Sequence, residues 1–308
     1  MNHHFSVVAA ISVVACFTVL FGAGCSHFRE AARGDAGFQT AFRFLPYKDA
    51  SGHERANPPA ERVYGPISSI GSVNVCAYVV ETKEGLVVVD TGFDMYEDLL
   101  ANNIRSLGLD PAKIKVILLT HFHFDHAGGV SRLLKLAPKA EVMVHERDAD
   151  TVEAGKWKDR VGYPGVKVTR RLKDGDVVTV GGVSFKTVYT PGQSPGSVVY
   201  LATVDGPKGG GGPCRVCFGG DSTGFKANVV DLERLGYPGV CADYRATVEK
   251  FRKMEFDLYL GGHPHQVFNE ARADGNPFIT REEWLKLVNG RAQEYENFVK
   301  KNPKYLSW

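Results

Sequence analysis

Apolar positions in this chain fall into short runs broken by charged or glycine-rich stretches. Residues 73–80 and 85–90 are two such runs joined by a charged turn, and they predict paired strands. Residues 96–107 repeat at helical spacing and stop at Gly108. The pattern then predicts a strand over 115–120, a short helix over 130–136, and a strand over 141–145 with a helix after it. Residues 177–180 and 183–189 form a predicted hairpin across Gly181 and Gly182. Two further strands, 198–203 and 215–218, flank a glycine-rich loop. A helix over 243–254 leads to a strand over 257–260. Thr280, with Glu283 three residues on, has the form of a capping box. It opens a last helix whose apolar stripe is Trp284, Val288, Tyr295 and Phe298.

Strands and helices in this order make two similar halves. They fit two packed sheets with helices outside, an αββα sandwich of the α/β class. Functional loops in such a fold gather at one edge, where strands end. The 308 residues, 44% hydrophobic and 23% charged, have ordinary globular composition. Formal charge is +2 with no basic stripe, so no nucleic-acid partner is implied. No internal repeat appears at solenoid periods.

The first residues stand apart from this pattern. Residues 5–24 carry no charged side chain, and Gly22, Ala23 and Gly24 precede Cys25. This resembles a bacterial secretory signal ending in a lipoprotein box, with Cys25 as the acylated first residue. The division expected is a signal peptide over 1–24, a tether and irregular lead-in over 25–60, and one folded domain over 61–308. The expected location is the periplasm, by lipid anchorage to the outer membrane. Simple cleavage with secretion, or an uncleaved membrane anchor, are the alternatives. Every version places the folded part outside the cytoplasm, and the membrane is met only through the N-terminus. Cys76 lies in an apolar run and reads as a small buried hydrophobe. Cys214 and Cys217 have C-x-x-C spacing, read as a local disulfide or as a pair without function.

The densest chemistry lies in Thr120-His121-Phe122-His123-Phe124-Asp125-His126-Ala127-Gly128-Gly129, directly after a strand pattern. It holds three imidazoles and a carboxylate within six positions, and both groups are good zinc ligands. In extended chain His121 and His123 point to one side and can grip one ion. Asp125 and His126, past the bend, can reach a second.

With these residues the sequence resembles the metallo-β-lactamase superfamily, from about residue 73 to 263. Asp90-Thr91-Gly92 resembles the family's structural Asp-Thr-Gly, which makes Asp90 a hydrogen-bonding support for the metal loop. Residues 190–197 resemble the segment that supplies a third histidine to the first ion, and Gln193 stands in its place. Gly219-Gly220-Asp221-Ser222 resembles the segment whose Asp bridges two metals in many members. Asp221 is accordingly either a bridge or a support. His263, in Gly261-Gly262-His263-Pro264-His265, takes the last ligand position; His265 reads as a rim residue or a substitute ligand, and His145 as a structural histidine. The long last helix, Asp221-Ser222 and His263-Pro264 look most like the third subclass of metallo-β-lactamases. That resemblance implies a second ion held by Asp125, His126 and His263, and a substrate carboxylate held at Ser222, with Thr223 as a further hydroxyl.

The resemblance implies an exported zinc hydrolase acting on a small molecule. It would open a β-lactam amide with metal-bound hydroxide, and Asp125 would orient the nucleophile. An amide oxygen is a weaker donor than imidazole, so one tight and one weaker Zn2+ are expected, the weaker at His121, His123 and Gln193. The alternatives within the fold are a lactone or thioester hydrolase, an iron-dependent oxidoreductase, and a vestigial metal-binding protein.

Overall fold

The computed structural model describes residues 51–303 apart from 97, 157–161, 208–211, 221–236, 238 and 268–274. Two mixed β-sheets pack against each other. The larger runs in the order β1 (Glu61–Tyr64), β2 (Ile67–Ser69), β3 (Tyr78–Thr82), β4 (Gly85–Val89), β5 (Ile114–Leu118), β6 (Glu141–His145), β7 (Arg170–Leu172). Its first four strands are antiparallel neighbours, and β4 to β7 are parallel. Parallel strands need long crossovers. Here these carry α1 (Leu99–Ser106), α2 (Phe124–Ala127), α3 (Val130–Leu136) and α4 (Glu146–Ala154).

The smaller sheet contains β8 (Val177–Val180), β9 (Val183–Tyr189), β10 (Val198–Val204), β11 (Cys214–Gly219) and β12 (Leu258–Leu260), in the order β12-β11-β10-β9-β8. Helix α5 (Val240–Lys253) precedes β12, α6 (Pro264–Val267) follows it, and α7 (Arg281–Lys301) closes the described chain. Helices α5 and α7 meet through Tyr244 on Tyr295 and Phe251 on Trp284. The capping box forms as expected: Thr280 Oγ1 accepts from Glu283 N at 3.2 Å, and Glu283 Oε2 accepts from Thr280 N at 2.7 Å.

Both faces of the central strands are buried. Val87, Val89, Val116 and Leu118 enter the core between the sheets, while Leu86, Val88, Ile117 and Leu119 enter the core beneath α1, α3 and α4. Side chains alternate across a strand, so a strand covered on both sides reads as an unbroken apolar run. That is why β4 and β5 stand out in the sequence.

Three differences from the sequence reading have physical causes. Residues 73–77 are not strand. Val73, Val75 and Cys76 are buried in a loop that closes on itself, with Ile70 N donating to Ala77 O, Ser72 N to Val75 O, and Cys76 N to Gly262 O. Burial without a ladder mimics a strand pattern. The edge strands β1 and β7, and β2 beside β1, were not expected; each has only three or four residues, and β1 and β7 expose charged side chains. Cys214 and Cys217 are free and buried, not a disulfide. They sit three apart on β11, which puts them on opposite faces. Burial pushes the Cys214 thiol up to about 12 and raises Cys217 further, so neither is a thiolate at neutral pH.

Candidate active site

The segments that carry chemistry leave the C-terminal ends of strands. Asp90 follows β4, His121 to His126 follow β5, residues 190–197 follow β9, Gly220 follows β11, and His263 follows β12. The ends are laced together across the two sheets: Val198 N donates to Thr120 O at 2.9 Å. The glycine pair after the histidines is required by close approach. A Cβ at Gly129 would lie 2.3 Å from Thr91 O, and one at Gly128 would lie 2.6 Å from Asp94 N. The helix bearing Asp125 and His126 thus packs directly on the turn that begins at Asp90.

Asp90 has φ of +56°, the one non-glycine residue with positive φ among those described. Asp tolerates this region better than most residues. The turn aims its carboxylate inward. Oδ1 accepts from Thr120 N at 2.8 Å, and Oδ2 from Thr120 Oγ1 at 2.7 Å and from His126 Nδ1 at 2.9 Å. The His126 carbonyl is also fixed, accepting from Thr91 N at 2.7 Å and Thr91 Oγ1 at 2.9 Å. His126 is 0% exposed. With its Nδ1 proton given to Asp90, its Nε2 presents a lone pair. His263 is arranged the same way, its Nδ1 donating to Asn74 O at 2.7 Å. Thr120 Oγ1 donates to Asp90, so its lone pair faces His121 Nδ1 at 3.1 Å, which again leaves Nε2 as the lone-pair nitrogen.

These atoms converge. His126 Nε2 lies 3.2 Å from His263 Nε2, and Asp125 Oδ2 lies 3.6 Å from the first and 3.5 Å from the second. Ligand atoms about 2.0–2.1 Å from a tetrahedral ion stand about 3.3–3.4 Å apart. The triangle has that size. Two imidazole nitrogens whose protons are given elsewhere cannot hydrogen-bond to each other, whereas a cation at the third corner of their lone pairs suits both. Among the described residues, Asp125, His126 and His263 are the group of three that could hold a metal ion.

Charge states agree. Burial pushes Asp125 upward, but the imidazoles of His126, His263 and His123 outweigh it and hold the carboxyl below its ordinary value. Burial, then neighbouring imidazoles, hold His121 well below its ordinary value, so it is neutral at pH 7. Metal binding needs this combination of neutral imidazole and ionised carboxylate. His121 and His123 sit beside the triangle, with ring centroids 4.1 Å between His121 and His126 and 4.6 Å between His121 and His123. Gln193 arrives from the loop after β9, its carboxamide nitrogen 3.3 Å from His123 Nδ1.

Residues 71–263 match the model of the metallo-beta-lactamase superfamily. The chain belongs to the metallo-beta-lactamase superfamily. The hydroxyacylglutathione hydrolase of Francisella tularensis subsp. novicida is 30% identical over 251 residues, 74% of this chain and 87% of that one. The subclass B3 metallo-beta-lactamase BJP-1 of Bradyrhizobium japonicum superposes with a TM-score of 0.69 at 30% identity, covering 82% of this chain and 97% of BJP-1. The class B3 di-zinc enzyme LRA-12 from an Alaskan soil metagenome shares the fold, with a TM-score of 0.68 at 23% identity over 79% of this chain and 95% of that one. The αββα sandwich and the likeness to the third subclass are as the sequence indicated, and the chain is a metal-dependent hydrolase of this superfamily.

Three parts of the site escape sequence reasoning. Asn74 holds His263 through its main chain, which any residue could do. Asp148 is 0% exposed on α4 and accepts from Phe122 N at 3.1 Å, Ser194 Oγ at 2.5 Å and Gly196 N at 2.7 Å. Burial pushes its carboxyl up to about 7 against those three hydrogen bonds. Tyr163 donates to Phe122 O at 2.7 Å. A carboxylate followed by Ala149 and Val152 on the buried face of α4 was the available signal. Asp221, Ser222, Thr223 and Cys25 lie outside the described residues, as does the side chain of His265.

Two predictions arise at this site and its edge. Asp90→Asn should loosen the ion at His126 by about 10–100-fold, as loss of a ligand's hydrogen-bonded support does. Asn accepts the positive φ, so the backbone survives. Chelator competition measures the change; an unaltered affinity would make Asp90 purely a turn residue. His145 is the structural histidine expected, stacked on Tyr189 with centroids 4.4 Å apart and accepting from Arg147 N. Burial lowers its pKa from 6.5 to about 4. The folded state therefore binds fewer protons than the unfolded state between those values. Stability from His145 is present above pH 6.5 and lost as pH falls toward 4. Denaturant melts of His145→Gln across that window should show a shallower acid loss than wild type.

Proposed function

We propose that this metallo-beta-lactamase-fold hydrolase is an exported zinc enzyme that opens the amide of a β-lactam. The triangle of His126 Nε2, His263 Nε2 and Asp125 Oδ2 carries the reading, because its edges suit zinc and its imidazoles are locked with Nε2 inward. The 30% identity to BJP-1 over nearly all of that enzyme favours the β-lactam. When bound, zinc lowers the pKa of a water to about 7 and polarises a carbonyl.

The protein's own groups do the rest. Asp90 and the Asn74 carbonyl hold the His126 and His263 rings so that their lone pairs meet at one point. Asp125 is ionised and only partly buried, so it can accept a hydrogen bond from the attacking water and orient it toward the carbonyl. His121 and His123, with Gln193 in place of a third imidazole, form the site of the first ion, the weaker of the two. Ser222 and Thr223 are proposed to receive the substrate carboxylate, and Asp221 to bridge or support the metals.

The identity to a hydroxyacylglutathione hydrolase favours one other reading, a thioester hydrolase. Zinc-loaded protein assayed on penicillins, cephalosporins, carbapenems and acyl-glutathione thioesters separates them. Turnover of thioesters alone would overturn the β-lactam assignment. Export through residues 1–24, with lipid on Cys25, is part of the proposal. Cell fractionation should place the wild type with outer membrane and Cys25→Ser outside it; identical distribution of the two would refute lipid anchorage.

A further inference from the structure

Phe122 lies between the two imidazoles of the weaker site, and both of its backbone polar groups are held by side chains from elsewhere. Its N–H donates to Asp148 Oδ2 from α4 at 3.1 Å, and its carbonyl accepts from Tyr163 at 2.7 Å. Its own ring is buried. The same Asp148 carboxylate reaches the opposite loop, accepting from Ser194 Oγ at 2.5 Å and Gly196 N at 2.7 Å. The approach is close enough that a Cβ at Gly196 would lie 2.5 Å from Asp148 Cγ. That loop carries Gln193, whose carboxamide meets His123 at 3.3 Å. None of these contacts involves Asp90, Asn74 or the triangle.

We propose that Asp148 and Tyr163 are positioning residues that clamp Phe122 and thereby set the spacing of His121, His123 and Gln193, independently of His126 and His263. This rests on the metal reading above for its consequence, an ion held at that trio. A carboxylate suits the place because both of its edges accept. Asparagine has one accepting edge, so its NH2 would face either Phe122 N or Gly196 N, donor against donor. Burial and the nearby Asp148 keep the Tyr163 hydroxyl protonated, hence a donor to the carbonyl. The site whose third donor is a carboxamide depends most on such preorganisation, because misplaced imidazoles there have no strong third ligand to compensate.

The test uses Tyr163→Phe, which keeps the ring, and Asp148→Asn. Imidazole 1H–15N NMR of the metal-free proteins reads the clamp directly. His121 and His123 resonances should move in both variants, while those of His263 stay. Zinc titration against a chelator then reads the consequence: the weaker ion should loosen by about 10-fold or more and the tighter ion should not. Unmoved His121 and His123 resonances in Tyr163→Phe overturn the clamp, even if Asp148→Asn fails to fold. Equal loosening of both ions overturns its restriction to one site. A wild type that takes up no zinc, with the resonances moving as stated, overturns the metal reading and supports the clamp.

Discussion

His126→Ala should strip most of the bound metal and abolish hydrolysis. No other side chain ties together as much of the site. The ring is fully enclosed, its Nδ1 is held by Asp90, its carbonyl is held by Thr91, and its Nε2 faces both Asp125 and His263. Alanine leaves a carboxylate and one imidazole, and it leaves the Asp90 carboxylate buried without its imidazole partner. Losing a hydrogen-bonded support costs about 10–100-fold in affinity, so losing the ligand should cost on the order of 100-fold or more. The buried void and the hydrogen bond lost to Asp90 will also lower stability, by about 2–4 kcal/mol. Metal analysis after dialysis, with a melt to show that the variant folds, reads both effects. His145→Gln is the control, since its ring stacks on Tyr189 and is no part of the triangle. Unchanged metal content in His126→Ala would refute the ligand assignment.

What the sequence showed of this site, and what it hid, divides by the range of the interactions. His121, His123, Asp125 and His126 were legible because six residues carry them all. His263 was legible only through the strand before it, and Asp90 through the Asp-Thr-Gly that follows β4. Asn74 was hidden because its contribution is a carbonyl, which no side-chain pattern encodes. Asp148 and Tyr163 were hidden because the partner that gives them meaning, Phe122, is 26 and 41 residues away in the chain. The fold divides the same way. Doubly covered β4, β5 and β6 announce themselves as apolar runs. The edge strands β1 and β7 carry Glu61, Arg62, Arg170 and Arg171 in exposed positions, which suits edges and erases the pattern. Helix α1 starts at Leu99, not 96, because residues Asp94–Tyr96 form a separate 3₁₀ turn. Asp94 there is tied to Arg132 at 2.8 Å.

Gln193→His should convert an unequal pair of metal sites into an equal one. Gln193 stands where the family resemblance puts a third imidazole, and its carboxamide lies 3.3 Å from His123, anchored through Ser194 and Gly196 to Asp148. The position is therefore right and the donor is weak, because an amide oxygen is a neutral, poorer electron-pair donor to zinc than an imidazole nitrogen. Under the zinc proposal, limiting metal goes first to Asp125, His126 and His263, whose ring protons are committed to Asp90 and Asn74. The ion at His121 and His123 binds only when zinc is abundant. An imidazole at 193 should tighten that ion by about 10-fold or more, on the scale of a ligand's replacement or support, and leave the tighter ion as it was. Hydrolysis at low zinc would rise with it if the reaction uses both ions, and would stay level if the tighter ion suffices. Zinc titration of wild type and Gln193→His decides the matter. Two equally tight ions in the wild type, unchanged by the substitution, would mean that another group, such as His265, already completes the site.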